Sequence, residues 1–236
     1  MKYNFTKKDH KTGKTSTCGY MNLETSGERA ELYFYGDICG DSWRSEWVQE
    51  NKAPQDVVDF LKELDDKNKP IDIFINSPGG DVFGGIAIYN ILKRYQGEKT
   101  AHIDGIAASI AGIIPFACDK VKAPESAQIM MHKPFTWCEG NADDLRKCIE
   151  TLDICESSII DIYMEHVRDG ITREQIKEMI DRETWLTCKE ATSFFNIEIE
   201  NAVPVSACFQ GNKDRKRKLQ LENYLFRLGN EVKKYD

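Results

Sequence analysis

No stretch of the 236-residue chain approaches the ~20 consecutive apolar residues that a membrane-spanning helix needs. The opening "MKYNFTKKDHKTGKTS" also lacks the apolar core of a secretory signal. Both absences predict a cytoplasmic protein with no membrane partner. Metal-binding spacing is missing too: the eight cysteines are scattered at 18, 39, 118, 138, 148, 155, 188 and 208, without a CxxC pair, and no two Cys or His stand as close as structural zinc requires. Reduced, mostly buried cysteines are therefore expected, with no disulfide framework, no metal and no cofactor. Excess positive charge is the last absence. With 32 Lys and Arg against 39 Asp and Glu, the net charge is −7, so the surface as a whole repels nucleic acid. The one basic run, "KDRKRK" at 213–218, reads as a solvated tail.

What remains is the make-up of one α/β domain with extensions: 41% of the residues are hydrophobic, enough for a single good core. Residues 1–28 are polar and show no sustained period, which predicts a mobile arm. "AELYFYGDI" (30–38) alternates as a strand does, and "QDVVDFLKELDD" (55–66) puts Val57, Val58, Leu61 and Leu64 on one helical face. "IDIFINS" (71–77) is so nearly apolar that both faces of a strand there should be covered. A glycine-rich turn, "PGGDVFGG", and a helix, "IAIYNILKRY", follow it. The pattern repeats with a strand in "TAHIDGIAA" and a helix beginning at Ser109; Pro115 should shorten or kink that helix. "KVKAP" and "AQIMMHKP" read as two short strands joined by "ESA". A long amphipathic helix is expected from Asn141 to about Val167, its stripe formed by Leu145, Ile149, Leu152, Ile159 and Tyr163. It exceeds what a compact domain needs, so it should project toward another subunit. Capping boxes at Thr172–Gln175 and Thr187–Glu190 each open a further helix. A basic extension, 204–236, completes the division into an arm (1–28), a main domain (29–203) and a tail.

Candidate chemistry centres on "GIAASIAG". Ser109 stands where a strand gives way to a helix, so the amide of Ile110 should be unpaired and close to the positive end of the helix dipole. Ala107, Ala108, Ala111 and Gly112 carry almost no side chain, which suggests room for a substrate carbonyl. A serine is a poor nucleophile until a base takes its proton, and the oxyanion formed on attack must meet fixed donors. His132 closes the strand "AQIMMH" and is the best-placed base, ahead of His10, His102 and His166. Gly79 and Gly80 can turn their amides toward a ligand. A carboxylate should hold the imidazole, but spacing alone does not select one.

"INSPGGDVFGGIAIYN", "GIAASIAG" and "MMHKP", in this order and spacing, resemble the Clp protease proteolytic subunit family, ClpP, from about Ala30 to Ala202. The resemblance implies an α/β fold of the ClpP/crotonase-like ββα superhelix type. It carries the nucleophile onto Ser109, the base onto His132 and the oxyanion amides onto Gly79 and Ile110. Where the family has an Asp as triad acid, "DRETWLTCKEA" has Glu183, with Asp181 as the alternative. The family implies polypeptide substrates, homo-oligomeric heptameric rings stacked as a tetradecamer through the long helix, and usually an AAA+ ATPase partner. Trp43, Trp47 and "ELYFYGDI" look more like the phage and prophage relatives associated with head maturation, whose substrates are capsid or scaffold proteins.

The leading expectation is thus a serine endopeptidase working in an oligomeric chamber. Two others compete with it: a non-catalytic ClpP-like ring or assembly subunit, disfavoured by the presence of Ser109, His132 and both glycines, and an acyl-CoA enzyme of the crotonase fold, which has no use for the Ser–His pair.

Overall fold

A computed structural model describes residues 2–8, 15–22, 28–40 and 53–200. The chain divides into a compact unit, Met1–Glu200, and a second unit, Asn201–Asp236, which lies outside the described residues together with His10, Trp43, Trp47 and the basic run.

The compact unit is built on a nine-stranded sheet. Its parallel centre is β3 (Ala30–Gly36), β4 (Ile71–Ser77) and β5 (Lys99–Ala108), continued by β6 (Lys120–Ala123) and β9 (Glu198–Ile199). Helices α1 (Ala53–Glu63) and α2 (Val82–Arg94) are part of the crossovers between parallel neighbours. β4 does not have two covered faces. Ile71, Ile73 and Ile75 are fully buried, whereas Asp72 and Phe74 are half-exposed and Asn76 is exposed. The polar residues decide the matter: the outer face carries Phe74 stacked between Tyr33 and His102, with Asp72 bonded to Arg29 at 2.8 Å. Each fully buried isoleucine on the inner face contributes roughly 1.5–3 kcal/mol.

β5 is ten residues long and is shared. Its first half pairs with β6, Thr100–His102 against Lys120–Lys122. Its second half pairs with β7 (Gln128–Met131), Ile106–Ala108 against Gln128–Met130. The two short strands are therefore not a hairpin; each extends a different end of β5, and β7 then pairs antiparallel with β8 (Thr184–Thr187).

The expectation for residues 1–28 is corrected. β1 (Lys2–Lys8) and β2 (Thr15–Asn22) form an antiparallel pair, and β2 joins β3 through Gly19–Gly36 and Tyr20–Tyr35. These strands escaped notice because β1 at the sheet edge and β2 beside it are joined by main-chain pairing, which needs no alternation in hydrophobicity. The segment after β5 also differs: Ser109–Ala117 is a 3₁₀ helix throughout, with Pro115 inside it. Helix α3 (Ala142–Met164) opens with a capping box on Asn141 and spans ~35 Å at 1.5 Å per residue. The expected boxes also open α4 (Arg173–Asp181) and α5 (Cys188–Ala191). No helix of the described residues is long and apolar enough to cross a membrane, and no cluster there could hold a metal ion.

Candidate active site

Three parallel strands and one antiparallel neighbour explain why distant segments meet. β4, β5 and β7 run in the same direction, so their C-terminal ends lie at one edge of the sheet. Those ends lead into Pro78–Gly80, Ser109 and His132, respectively. β8 runs the opposite way, so its beginning lies at that same edge, with Glu183 just beyond the last pair, Met131–Thr184.

Ser109 is the first residue of the 3₁₀ helix and has φ of +54°, in the left-handed region that costs a non-glycine residue of order 1–3 kcal/mol. That sharp turn leaves the hydroxyl half-exposed while Ala107, Ala108 and Ile110 around it are buried. Ser109 Oγ lies 2.7 Å from His132 Nε2, within hydrogen-bond reach, so an imidazole whose proton is on Nδ1 accepts the hydroxyl's hydrogen bond at Nε2. Phe135 packs beside the imidazole with ring centroids 5.8 Å apart.

Gly79 lies against this pair. A Cβ there would stand 2.7 Å from Ser109 Cβ, 2.8 Å from the Ala108 carbonyl oxygen and 3.2 Å from the Ile110 nitrogen, and φ is +102°. Only glycine lets the turn approach Ser109 so closely. The Gly79 amide donates to Ser77 Oγ at 3.2 Å, and Ser77 in turn donates to the Gly36 carbonyl at 2.6 Å. Residue 80 bridges to Ile38 through the Gly79 carbonyl and the Asp81 amide, at 2.7 and 2.9 Å, which leaves the Gly80 N–H out of the bridge.

Glu183 is near but not engaged. Its φ is +51°, it is exposed, and its carboxylate accepts a long 3.5 Å bond from the Trp185 indole N–H. Among the described residues, no carboxylate lies within ion-pair distance of His132. The alternative acid, Asp181, belongs to another network, with Lys133 at 2.9 Å and Lys177 at 2.8 Å. Hydrogen bonds from those two lysines hold its carboxyl below the usual carboxylate range.

The other described histidines lie elsewhere: His102 is stacked on Phe74 and lies near Asp72 and Glu200, and His166 contacts Tyr89 and Lys93. Burial pushes the Cys188 thiol up to about 12, so it does not compete as a nucleophile. The room expected around Ser109 has a different use at Gly112, where a Cβ would stand 2.6 Å from the Tyr163 hydroxyl: the space there is filled by a phenol. Sequence reasoning also missed Ser77 as the group holding Gly79, and the apolar pocket beside Ser109 and His132, whose walls include Val82, Met131, Pro134, Ile159 and Ile180. Serine before "PGG" was a readable signal for the first; the pocket gathers residues from five separate segments and had none.

Comparison with known proteins gives the same outline. Residues 46–196 match the family described as Clp protease. The ATP-dependent Clp protease proteolytic subunit 1 of Chlamydia abortus is 33% identical over 150 residues, spanning 61% of this chain and 77% of that one. Its namesake from Chlamydia trachomatis is 32% identical over 155 residues, 64% and 80% of the two chains. The ATP-dependent Clp protease proteolytic subunit of Bacteroides fragilis is 29% identical over 135 residues, 56% and 64%. A match that extends across more than half of the chain, over the strands and turns that bring Ser109 and His132 together, means that the chain belongs to the Clp protease family.

Proposed function

We propose that the chain is a serine endopeptidase of the Clp type. His132 Nε2 takes the proton of Ser109 as Oγ attacks the scissile carbonyl; the tetrahedral oxyanion is met by the amides of Ile110 and Gly79, or of Gly80 if Gly79 remains on Ser77. His132 then gives its proton to the leaving amine, the C–N bond breaks, and water repeats the sequence on the acyl-serine to free the acid. Glu183 is the orienting acid, swinging from Trp185 onto Nδ1. The observation that carries this reading is the 2.7 Å Oγ–Nε2 contact. The family relatives, named as proteolytic subunits, support it.

The assembly follows the same reasoning. α3 carries Leu145, Ile149 and Ile154 exposed, as does the segment before it with Phe135 and Trp137; such apolar surface favours rings of this chain stacked through α3. The segment 133–140, which follows His132 and forms neither helix nor strand of its own, would align a substrate strand. Partnership with a Clp-type ATPase, a cytoplasmic location and a role in phage head maturation complete the proposal; they rest on the names of the relatives and on the sequence features given above. The exposed, unengaged Glu183 is the one observation that favours a non-catalytic ring subunit instead.

Labelling with a fluorophosphonate tests the reading. Ser109 should be modified, and Ser109→Ala should abolish both labelling and peptide hydrolysis. Label on another residue, or undiminished hydrolysis by the variant, would remove the proposal; native mass spectrometry on the same sample reports the ring number.

A further inference from the structure

Ser77 closes β4 and is fully buried, a polar residue at the end of the row Ile71, Ile73 and Ile75. A buried hydroxyl is costly unless its hydrogen bonds are made, and this one makes two. Its proton goes to the Gly36 carbonyl at 2.6 Å, so its oxygen is left to accept from the Gly79 amide at 3.2 Å. Gly36 ends β3, and Ile38, two residues on, holds the same turn: its amide donates to the Gly79 carbonyl at 2.7 Å, and its carbonyl accepts from the Asp81 amide at 2.9 Å. The end of β3 thus occupies the Gly79 amide, through Ser77, and the Asp81 amide, while Pro78 has no N–H to offer. One amide of the turn remains, that of Gly80, an exposed residue whose N–H has no partner among the described residues.

From these bonds we infer that Ser77 is a positioning residue of the oxyanion site: by holding the Gly79 amide from an anchor on β3, its hydroxyl fixes the turn so that the Gly80 amide joins that of Ile110 on the oxyanion. This rests on Ser109 being the nucleophile. Ser77 itself touches no reacting atom. Without the hydroxyl, the Gly36 carbonyl and the Gly79 amide lose their common partner, and a turn with two left-handed glycines, φ +102° and +147°, is free to rotate its peptide planes. The loss falls on the transition state, because the oxyanion exists only there, and substrate binding is left nearly as it was.

Kinetics of the assembled full-length protein on one quenched peptide test this, together with inhibition by a peptide aldehyde, whose hemiacetal with Ser109 puts an oxygen in the oxyanion site. Ser77→Ala should lower kcat about tenfold with KM little changed, a smaller loss than deletion of an oxyanion donor because the donor is displaced and not removed. The aldehyde should bind more weakly by the same factor. Ser77→Thr, which keeps the hydroxyl on a side chain suited to a strand, should stay close to wild type in both. An unchanged or raised kcat in Ser77→Ala overturns the inference, because the Gly79 amide released from Ser77 would then be the oxyanion donor. So does a Ser77→Thr protein that assembles yet is as slow as Ser77→Ala, or failure of both variants to assemble, which would make Ser77 a residue of the fold alone. In each of these results the wild-type protein still takes the fluorophosphonate at Ser109, and the peptidase stands. Absence of both labelling and cleavage in the wild type removes the peptidase reading, and this inference with it.

Discussion

His132 and Glu183 face one another across the ends of β7 and β8, yet they are held in different ways. His132 follows a strand whose Ile129 and Met131 are buried, which pairs on one side with β5 and on the other with β8, and its ring touches Ser109 and Phe135. Glu183 follows the end of α4, is exposed, and rests on a 3.5 Å contact with an exposed indole. His132 is therefore placed by the sheet, whereas the Glu183 carboxylate depends on a side chain that solvent can rearrange. Preorganisation comes from buried backbone; a group on an exposed strand end needs something further, such as a neighbouring subunit, to hold it.

The comparison can be broken most forcefully at its rigid side. Ser109→Ala and His132→Ala should each lower kcat by about 10³-fold or more, read as initial rates on one quenched peptide. A residual rate near wild type in either would show that the 2.7 Å contact is not the reacting pair. Next comes Gly79→Ala, whose Cβ would meet Ser109 Cβ at 2.7 Å in a left-handed backbone. A loss of about 10²-fold in kcat is expected, similar to the removal of one oxyanion donor. A fall in melting temperature without loss of rate would make Gly79 a packing residue only.

The loose side should respond less. Glu183→Gln should lower kcat by about tenfold, short of the ~10⁴ that a fixed triad carboxylate supplies. A loss equal to that of His132→Ala would mean that the assembled enzyme holds the carboxylate on Nδ1 as firmly as the sheet holds His132. Trp185→Phe removes the indole N–H that holds the carboxylate, and should raise kcat by up to about twofold, the worth of a long, solvent-exposed hydrogen bond. The smallest effect concerns Asp181. Lys133 and Lys177 depress its carboxyl below the ordinary value, so the stabilisation is present above the ordinary carboxylate range and is lost as pH falls through the folded value. Asp181→Asn should therefore melt slightly lower than wild type at neutral pH, and the two curves should coincide in strongly acid solution.

Much of this was legible before any coordinates, for reasons that particular residues make clear. The strand ending at Ser77, the turn at Gly79 and the strand-to-helix step at Ser109 leave local marks, because a tight turn needs glycine and a nucleophile needs small neighbours. The capping boxes at Thr172 and Thr187 are equally local, since each is a contact between residues three apart. Ile71, Ile73 and Ile75 announced a buried face, but the run misled about the opposite one, where Asp72 and Asn76 leave the surface half-open. β1 and β2 left no pattern, since pairing at a sheet edge is made by main-chain groups common to every residue.

The sequence by itself determined the residue types available for catalysis, the turns that could present them, and the family to which the chain belongs. Only the tertiary structure decided that the strand ends meet at one edge of the sheet, that Glu183 lies beside His132 without engaging it, and that the Tyr163 phenol fills the space at Gly112. The physical reason is range: turn and cap chemistry act over a few residues, whereas strand direction, shared pairing along β5 and the filling of a pocket are settled among segments far apart in the chain.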